Sequence, residues 1–259
     1  MYLGIDIGSS SSKAAILNEK REIVAIAVEN MGTGTSAYKD VVNDVLEQTG
    51  STMDDMKYIV VTGYGRMTFD GADKQITEIT CHAKGAGFLV DNVRTIIDIG
   101  GQDAKAIRLS KKSQVENFVM NEKCAAGTGR FLEVMARVLG CGIEELAGLA
   151  KQSIKEVSIS NVCTVFAESE VISRLAAGEN VADVARGAHV SVAKRVMGMV
   201  GRIGYEPRVV MTGGVALNED VIRAMSLEIG HEIEVVPHCQ SVGAIGAAVI
   251  ALESKHKEE

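Results

Sequence analysis

Short apolar runs open the chain and predict a series of β-strands. They cover Tyr2 to Ile7, Lys13 to Leu17 and Glu22 to Val28, with a serine-rich turn and an Asn-Glu-Lys turn between them. Runs of this length separated by short polar turns are typical of adjacent antiparallel strands. The opening of the chain therefore predicts an antiparallel meander.

A helix with one apolar face is predicted after the meander. Ser36 is a residue type that favours helix starts, and Gly50 is one that favours helix ends. The apolar residues at helical spacing between them are Val41, Val42, Val45 and Leu46. A strand from Tyr58 to Val61 follows, so this part of the chain has the content of half an α/β domain.

The second part of the chain repeats the first. The segment Ile5 to Ala14 returns as Ile97 to Ala106, with Asp-x-Gly and Lys at the same spacing. The pair Thr62-Gly63 returns in the same order as Thr212-Gly213, after a much longer interval. Two copies of one structural plan are therefore predicted, and the second copy carries an insertion.

Strands in the second copy are predicted at Thr95 to Ile99, Lys105 to Leu109, Val115 to Met120 and Arg208 to Met211. The inserted region contains two apolar stretches suited to helices, Arg130 to Leu139 and Val165 to Leu175. We therefore predict an α/β fold of two related lobes, an N-terminal lobe of residues 1–93 and a C-terminal lobe of residues 94–259.

Composition and charge narrow the class of protein. The chain has 259 residues, of which 46% are hydrophobic, which is enough for a core in each lobe. A net charge of -7 and a pI near 5.4 argue against binding to nucleic acid. We find neither a membrane span nor a signal peptide in the sequence, and we expect a cytoplasmic protein.

The two Asp-x-Gly turns are candidate phosphate-binding elements. Each is predicted as a strand that ends in an acidic residue and then turns tightly, so that backbone amides can approach an anion. The candidate phosphate ligands are Gly8, Ser9, Ser10, Ser11, Ser12 and Lys13 in the first turn, and Gly100 and Gly101 in the second. A single turn of this kind is usually an ordinary hairpin, but the duplication favours phosphate binding.

Three further side chains complete the candidate catalytic site. Asp6 and Asp98 would hold a magnesium ion, largely through water. Gln102 is a neutral side chain able to orient an attacking water. Together these residues predict hydrolysis of a nucleoside triphosphate.

A candidate adenosine site follows the second Thr-Gly pair. Gly213 and Gly214 leave room for a flat ligand, and Asn218 lies one turn later. A plain strand-to-helix turn would have the same residues, and the phosphate turns favour adenosine. These ordered motifs resemble those of the superfamily of actin, sugar kinases and heat-shock ATPases. The resemblance implies that two lobes bracket ATP or ADP in a cleft.

Two cysteines in the inserted region are candidate metal ligands. Cys124 and Cys163 are each predicted to lie just before a helix, whose free amides and dipole stabilise the negative charge of a thiolate-bound iron-sulfur cluster. Two thiolates are half of the usual four, and a two-fold homodimer would supply the rest. The alternative is that both are ordinary buried or surface thiols, since the chain has no Cys-x-x-Cys pair.

A longer match favours the metal hypothesis. The segments Asn121 to Phe131, Cys163 to Ile172, Gly63 to Arg66 and Asp98 to Asp103 closely resemble the activators of 2-hydroxyacyl-CoA dehydratases, in the BadF/BadG/BcrA/BcrD ATPase family. The resemblance implies a homodimer with one bridging 4Fe-4S cluster at Cys124 and Cys163 and one ATP site per subunit. It also implies ATP-driven transfer of an electron from ferredoxin or flavodoxin to a partner iron-sulfur enzyme, a dehydratase or a reductase.

Two rival functions remain open from the sequence. One is a small-molecule kinase of the same fold, acting on an amino sugar and holding no cluster, although no sugar site is recognisable and Gln102 suits water activation better. The other is an actin-like or chaperone-like ATPase whose nucleotide state controls assembly alone. The sequence does not name the electron acceptor.

Overall fold

The computed structural model describes residues 1–258 and contains two five-stranded sheets. Glu259, the last residue of the predicted C-terminal lobe, lies outside the described residues. The strands of the first sheet are β1 (Tyr2–Ile7), β2 (Ser12–Leu17), β3 (Ile23–Glu29), β4 (Tyr58–Thr62) and β5 (Lys74–Gln75). Those of the second are β6 (Thr95–Ile99), β7 (Ala104–Leu109), β8 (Val115–Asn121), β9 (Val209–Thr212) and β10 (Glu234–Val235).

Helices separate the strands along the chain. They are α1 (Ala37–Thr49), α2 (Glu78–Leu89), α3 (Gly129–Leu139), α4 (Leu146–Lys151), α5 (Thr164–Ala176), α6 (Val181–Ile203), α7 (Glu219–Ile229) and α8 (Val242–Glu258). The predicted strands and the helix α1 are present, with Gly50 ending α1 in the left-handed conformation. Ser36 occupies the first cap of α1, but its side chain makes no capping hydrogen bond. None of the helices within residues 1–258 is long and apolar enough to cross a membrane.

The two sheets have the same topology. The strand order is β3-β2-β1-β4-β5 in the first sheet and, read in the matching direction, β8-β7-β6-β9-β10 in the second. β1 pairs antiparallel with β2 and parallel with β4, and β6 pairs in the same two ways with β7 and β9. The duplication seen in the sequence is therefore a duplication of the fold.

The chain divides into two compact units, each with one sheet. Unit 1 contains residues 1–93, 109–116 and the chain from Val236 onward, and unit 2 contains residues 94–108 and 117–235. These units differ from the predicted lobes because α8 belongs with unit 1, where it packs against α2, β1 and β4. Residues from Val236 onward, which we assigned to the C-terminal lobe from the sequence, therefore belong to unit 1.

Small residues allow α8 to pack tightly inside unit 1. A side chain at Gly246 would overlap the carbonyl of Cys81 in α2, and one at Gly4 would overlap the backbone of α8 at Ala244 and Ala248. Glycine at these two positions thus allows two backbones to come into contact. The resulting core of unit 1 has no room for larger side chains at these points.

The long helix α6 is the centre of unit 2. It packs against α3, α4, α5 and α7, and most of its residues are buried. Its first cap is made by Asn180, whose side chain accepts a hydrogen bond from the Ala182 amide. The segments that carry the candidate adenosine and metal residues are therefore arranged around one buried helix.

Candidate functional site

The first Asp-x-Gly turn lies at the end of β1 in unit 1. Asp6 is buried, and Lys13 Nζ lies 3.5 Å from its Oδ2. The turn is closed by the Gly8 amide, which donates to the Ser11 carbonyl at 3.0 Å. Ser9, Ser10 and Ser11 are partly exposed on this turn, whereas the Ser12 hydroxyl is buried and donates to the Met31 carbonyl at 2.9 Å.

The second turn, in unit 2, has the same construction with one added carboxylate. Asp98 is buried, and Lys105 Nζ lies 3.2 Å from its Oδ2 and 2.8 Å from Asp103 Oδ2. The Gly100 amide donates to the Asp103 carbonyl at 3.0 Å. Gln102 is exposed at the tip of the turn.

The match between the two turns extends to the strand register. Asp6 pairs with Lys13 on β2 and with Thr62 on β4, and Asp98 pairs with Lys105 on β7 and with Thr212 on β9. Thr212 Oγ1 donates to Asp98 Oδ1 at 2.7 Å. Sequence reasoning did not assign roles to Lys105, Thr62 or Thr212, although aligning the two copies would have found all three.

This arrangement determines how the two aspartates can hold a cation. Both oxygens of Asp98 already accept hydrogen bonds from side chains, one from Lys105 and one from Thr212. A carboxylate whose oxygens already accept hydrogen bonds attracts a cation but binds it best through intervening water. Each turn by itself therefore has a carboxylate suited to a water-mediated cation, and a magnesium ion shared by Asp6 and Asp98 stays a prediction. Lys13 lies against Asp6, and its reach to an outer phosphate stays a prediction.

Cys81 lies close to the first turn, but its thiol stays protonated. It is fully buried in α2, and burial raises the pKa of its thiol to about 12, with Thr62 acting in the opposite direction. Burial, together with Glu145 and Glu144, also raises the pKa of Cys141. Both thiols are neutral at physiological pH, which agrees with their omission from the candidate metal ligands.

The candidate adenosine turn joins β9 to α7. Gly213 has φ +88°, and a side chain there would overlap the backbone of Ile99. Gly63 occupies the matching place in unit 1, with φ +91° and the same contact to Ile7. Both glycines are thus required by the fold itself, since an L residue is strained at such angles. Gly214 begins the short helical turn that leads to Asn218.

Asn218 is the N-cap of α7 and is almost completely buried. Its Oδ1 accepts hydrogen bonds from the amides of Asp220 at 3.2 Å and Val221 at 3.0 Å. Its Nδ2 faces His189 Nε2 at 3.2 Å. The amide group is therefore used inside the protein, and it fixes the position of the adenosine turn relative to α6.

His189 is a buried residue that sequence reasoning missed. Its Nδ1 lies 2.7 Å from Asp220 Oδ2, and Asp220 Oδ1 also accepts from Arg186 at 3.0 Å and Arg223 at 3.1 Å. Because Asn218 Oδ1 is occupied by backbone amides, its Nδ2 must donate to His189 Nε2. The imidazole is therefore the neutral tautomer that carries its proton on Nδ1 and donates it to Asp220.

Cys163 is the N-cap of α5, as predicted. Its backbone is extended and its side chain makes no capping hydrogen bond, so the sulfur is available beside the free amides of the helix start. The surrounding surface is apolar: Val162, Val165, Phe166 and Ile172 are each between 53% and 68% exposed. Several large exposed apolar side chains on one short segment are typical of a protein-protein contact.

Cys124 precedes α3, as predicted, but a short turn separates it from the helix start. It lies in a loop, and α3 begins at Gly129 after Thr128 as N-cap. Gly127, with φ +84°, separates the cysteine from the helix start. The loop is held by Asn121 Nδ2, which donates to the carbonyls of Cys124 at 2.8 Å and Ala126 at 3.1 Å.

The start of α3 is bonded directly to the second phosphate turn. The amide of Gly129 donates to the Gly100 carbonyl at 2.9 Å, and that of Arg130 to the Gly101 carbonyl at 2.7 Å. The Cys124 loop is thus continuous with a helix attached to that turn. In addition, α3 packs against α5, the helix that Cys163 caps.

One chain supplies too few ligands for a closed metal site. Cys124 and Cys163 are free and partly buried. Across the part of the chain that the structure describes, no three or more His, Cys, Asp and Glu side chains are grouped to hold a metal ion. The two thiols fit half of a four-thiolate site, as the sequence predicts for a shared cluster.

The profile of the BadF/BadG/BcrA/BcrD ATPase family matches residues 3–251. The activator of lactoyl-CoA dehydratase from Anaerotignum propionicum is 53% identical over 100% of both chains. The ADPNP-bound activator of the 2-hydroxyisocaproyl-CoA dehydratase from Clostridium difficile has a TM-score of 0.95 at 49% identity, covering 100% of this chain and 97% of that one. Component A of (R)-2-hydroxyglutaryl-CoA dehydratase from Acidaminococcus fermentans has a TM-score of 0.95 at 49% identity, covering 98% of each chain.

More distant structures share the fold alone. A ROK family glucokinase from Streptomyces griseus has a TM-score of 0.61 at 12% identity, covering 97% of this chain and 99% of that one. Together with the two matching sheets, these similarities confirm the predicted α/β fold of the actin-like ATPase and sugar kinase class.

Proposed function

This chain belongs to the BadF/BadG/BcrA/BcrD ATPase family, and from that premise we propose that it is an ATP-hydrolysing, iron-sulfur activator of a 2-hydroxyacyl-CoA dehydratase or a related iron-sulfur reductase. The observation that carries the proposal is the full-length similarity to dehydratase activators. The electron donor would be ferredoxin or flavodoxin. The protein would act in the cytoplasm.

The candidate nucleotide-binding residues would act on ATP. Ser9 to Ser11 and Gly101 would present backbone amides to the phosphates, while Gly8 and Gly100, whose own amides close the two turns, would allow close approach of the phosphates. Asp6 and Asp98 would hold the water shell of a magnesium ion. Gln102, exposed at the tip of its turn, would orient the attacking water. The magnesium ion would supply charge neutralisation at the phosphates.

The metal-binding residues would come from two copies of the chain. Cys124 and Cys163 of each subunit would provide the four thiolates of one 4Fe-4S cluster, which would carry a single electron at low potential. The exposed apolar residues around Cys163 support a second copy as the occupant of this surface, since that contact would bury them. The free amides at the start of α5 would stabilise the negative charge of the thiolate.

Iron analysis of protein purified without oxygen tests this proposal. We expect about four irons and four sulfides per dimer in the wild type, because each chain offers two thiolates of a four-thiolate site. Cys124→Ala or Cys163→Ala should lose the iron, as measured by metal analysis and electron paramagnetic resonance. Cys141→Ala is the matched control and should retain it.

Iron that survives both substitutions, or its absence from the wild type, would reject the cluster.

An ATP assay without an added phosphate acceptor distinguishes the proposed activator from the rival kinase. Hydrolysis to ADP and phosphate in buffer alone supports the activator, whereas ATP cleavage only in the presence of an amino sugar would favour a small-molecule kinase. Unchanged activation after loss of both thiols would favour an ATPase that controls assembly.

A further inference from the structure

The helix α6 connects the candidate adenosine turn to the loop that carries Cys163. His189 lies near the middle of the helix and bonds to Asn218 and Asp220 at the start of α7. Two residues further on, Ser191 Oγ donates to the Ser160 carbonyl at 3.0 Å. One helix therefore holds both segments through side chains about 3 Å apart along its axis.

The contact at Ser160 is built to fix the Cys163 loop. The Ser160 amide is also held in place, because it donates a hydrogen bond to Glu170 Oε2 on α5 at 2.9 Å. Ser191 is buried, and the neighbouring Gly187 lies against the carbonyl of Val157, where a side chain would overlap it. The backbone before Cys163 is thus seated against α6 at two points.

The contact at His189 is equally specific. The imidazole is fully buried between an acceptor, Asp220, and a donor, Asn218. A movement of the adenosine turn that kept these bonds would carry His189 with it, because a buried unpaired polar group costs free energy. Interiors are close-packed, so α6 would move as a rigid body.

The Cys124 loop has a separate connection. It leads into α3, whose first amides bond to Gly100 and Gly101, and Gly127 lies against Arg195 of α6. The Cys163 loop has no such backbone bond to the second phosphate turn among the hydrogen bonds found within residues 1–258. The two cysteines are therefore attached to the nucleotide-binding segments by different routes.

We infer that α6 couples the adenosine turn to the Cys163 loop, with His189 as the positioning residue at one end of the connection and Ser191 at the other. This inference rests on the proposed function. Nucleotide binding at the turn changes the position of α6 and, through Ser191, the exposure of the backbone around Cys163. By linkage, the state of the Cys163 loop changes nucleotide affinity by the same factor.

Amide hydrogen exchange on the full-length protein, purified without oxygen, tests the coupling. Exchange of residues 121–128 and 158–164 is followed by mass spectrometry with and without a saturating non-hydrolysable ATP analogue. In the wild type we expect nucleotide to change the exchange rate of both segments by about fivefold or more, the usual lower range for coupled sites. His231→Gln, at an exposed histidine, should behave as the wild type does.

Two variants interrupt the connection at its two ends. Ser191→Ala should abolish the response of residues 158–164, while residues 121–128 still respond. His189→Gln should abolish the same response and also weaken nucleotide binding, by about tenfold or less, since it removes a buried hydrogen bond beside the turn. If His189→Gln fails to fold, Ser191→Ala decides alone.

The coupling is rejected if residues 158–164 respond to nucleotide in Ser191→Ala as they do in the wild type, or if they do not respond in the wild type. The iron analysis separates this result from the proposed function. Wild-type protein with about four irons per dimer and undiminished coupling in Ser191→Ala would reject the role of α6 alone. Protein without iron, but with coupling lost in Ser191→Ala, would reject the cluster and keep the role of α6.

Discussion

At the scale of single residues, the buried carboxylate of Asp183 on α6 holds residues 153–155, which lie before the Cys163 loop in the chain. Asp183 Oδ1 accepts hydrogen bonds from the Ile154 amide at 2.8 Å, the Ser153 hydroxyl at 2.9 Å and the Lys155 amide at 3.0 Å. These bonds, that of the Lys155 amide above all, hold the pKa of Asp183 below its usual value. The ionised form is therefore the one that the folded protein stabilises.

The contribution of Asp183 to stability depends on pH. Because the pKa is lower in the folded state, the stabilisation is complete above the unfolded value near 4 and is lost as pH falls through the folded value. We expect Asp183→Asn to lower the free energy of unfolding at pH 7 and to lower it less at about pH 3, below the unfolded value. Urea denaturation of both proteins at the two pH values measures the difference.

The matched control is Glu219→Gln. Lys151 lowers the pKa of Glu219, but that carboxylate is exposed, and exposed ion pairs contribute little. Glu219→Gln should therefore have the smaller effect at pH 7. A deficit for Asp183→Asn that is the same at both pH values would show that the carboxylate charge is not what stabilises the segment.

At the scale of elements, the packing of α8 against α2 depends on glycine. Gly246→Ala places a methyl group on the Cys81 carbonyl, and overpacking of this kind costs about 1–3 kcal/mol. Gly198→Ala in α6 is the control, because nothing lies within 4 Å of the position that its side chain would take. It should stabilise by up to about 1 kcal/mol through helix propensity.

Chemical denaturation of the two alanine variants measures both changes. Opposite signs for the two substitutions would support the close contact between α8 and α2. Equal effects at Gly246 and Gly198 would mean that the contact tolerates a methyl group, and that α8 is less tightly packed than its glycines indicate.

The elements that the sequence revealed are those with a clear apolar pattern. The strands were predicted from short apolar runs and α1 from its one apolar face, and Cys163 was placed correctly because α5 starts directly after it. The helix α6 escaped prediction because it is buried on most sides, so no single apolar face marks it. The start of α3 also agrees with the apolar stretch predicted from Arg130, whereas the turn at Gly127 between Cys124 and the helix has no apolar pattern to mark it.

The residues of the candidate site that could be predicted from the sequence are those that occur in both copies. Comparing the two copies identified the aspartates, lysines and glycines of the turns, because their spacing repeats. His189 has no counterpart in the first copy and lies far in sequence from Asn218 and Asp220, which it contacts only in the folded chain. Nothing in the local sequence distinguishes it from an ordinary core histidine.

At the scale of the whole molecule, the apolar surface around Cys163 sets the expected oligomeric state. Phe166→Glu places a charge in the middle of this surface, and a buried unpaired charge opposes association. We expect the variant to be monomeric and to lose its iron while remaining folded. Light scattering after size-exclusion chromatography, with iron analysis, measures both properties.

Leu227→Glu provides the control for the dimer prediction. Leu227 is as exposed as Phe166 but belongs to α7, away from the two cysteines in sequence. This variant should remain dimeric and retain its iron. A wild-type protein that is monomeric with a full complement of iron would contradict a cluster shared between subunits.

Because Lys105 pairs with two carboxylates, the second turn differs from the first in net charge. In the first turn one lysine balances one aspartate, so the set is electrically neutral; in the second, Asp103 occupies the place of Ser11, and one negative charge is left over. A cation is therefore drawn more strongly to the second turn, and a bare phosphate is repelled less by the first. The side chain of Asp103 thus gives two copies of one motif different electrostatic preferences.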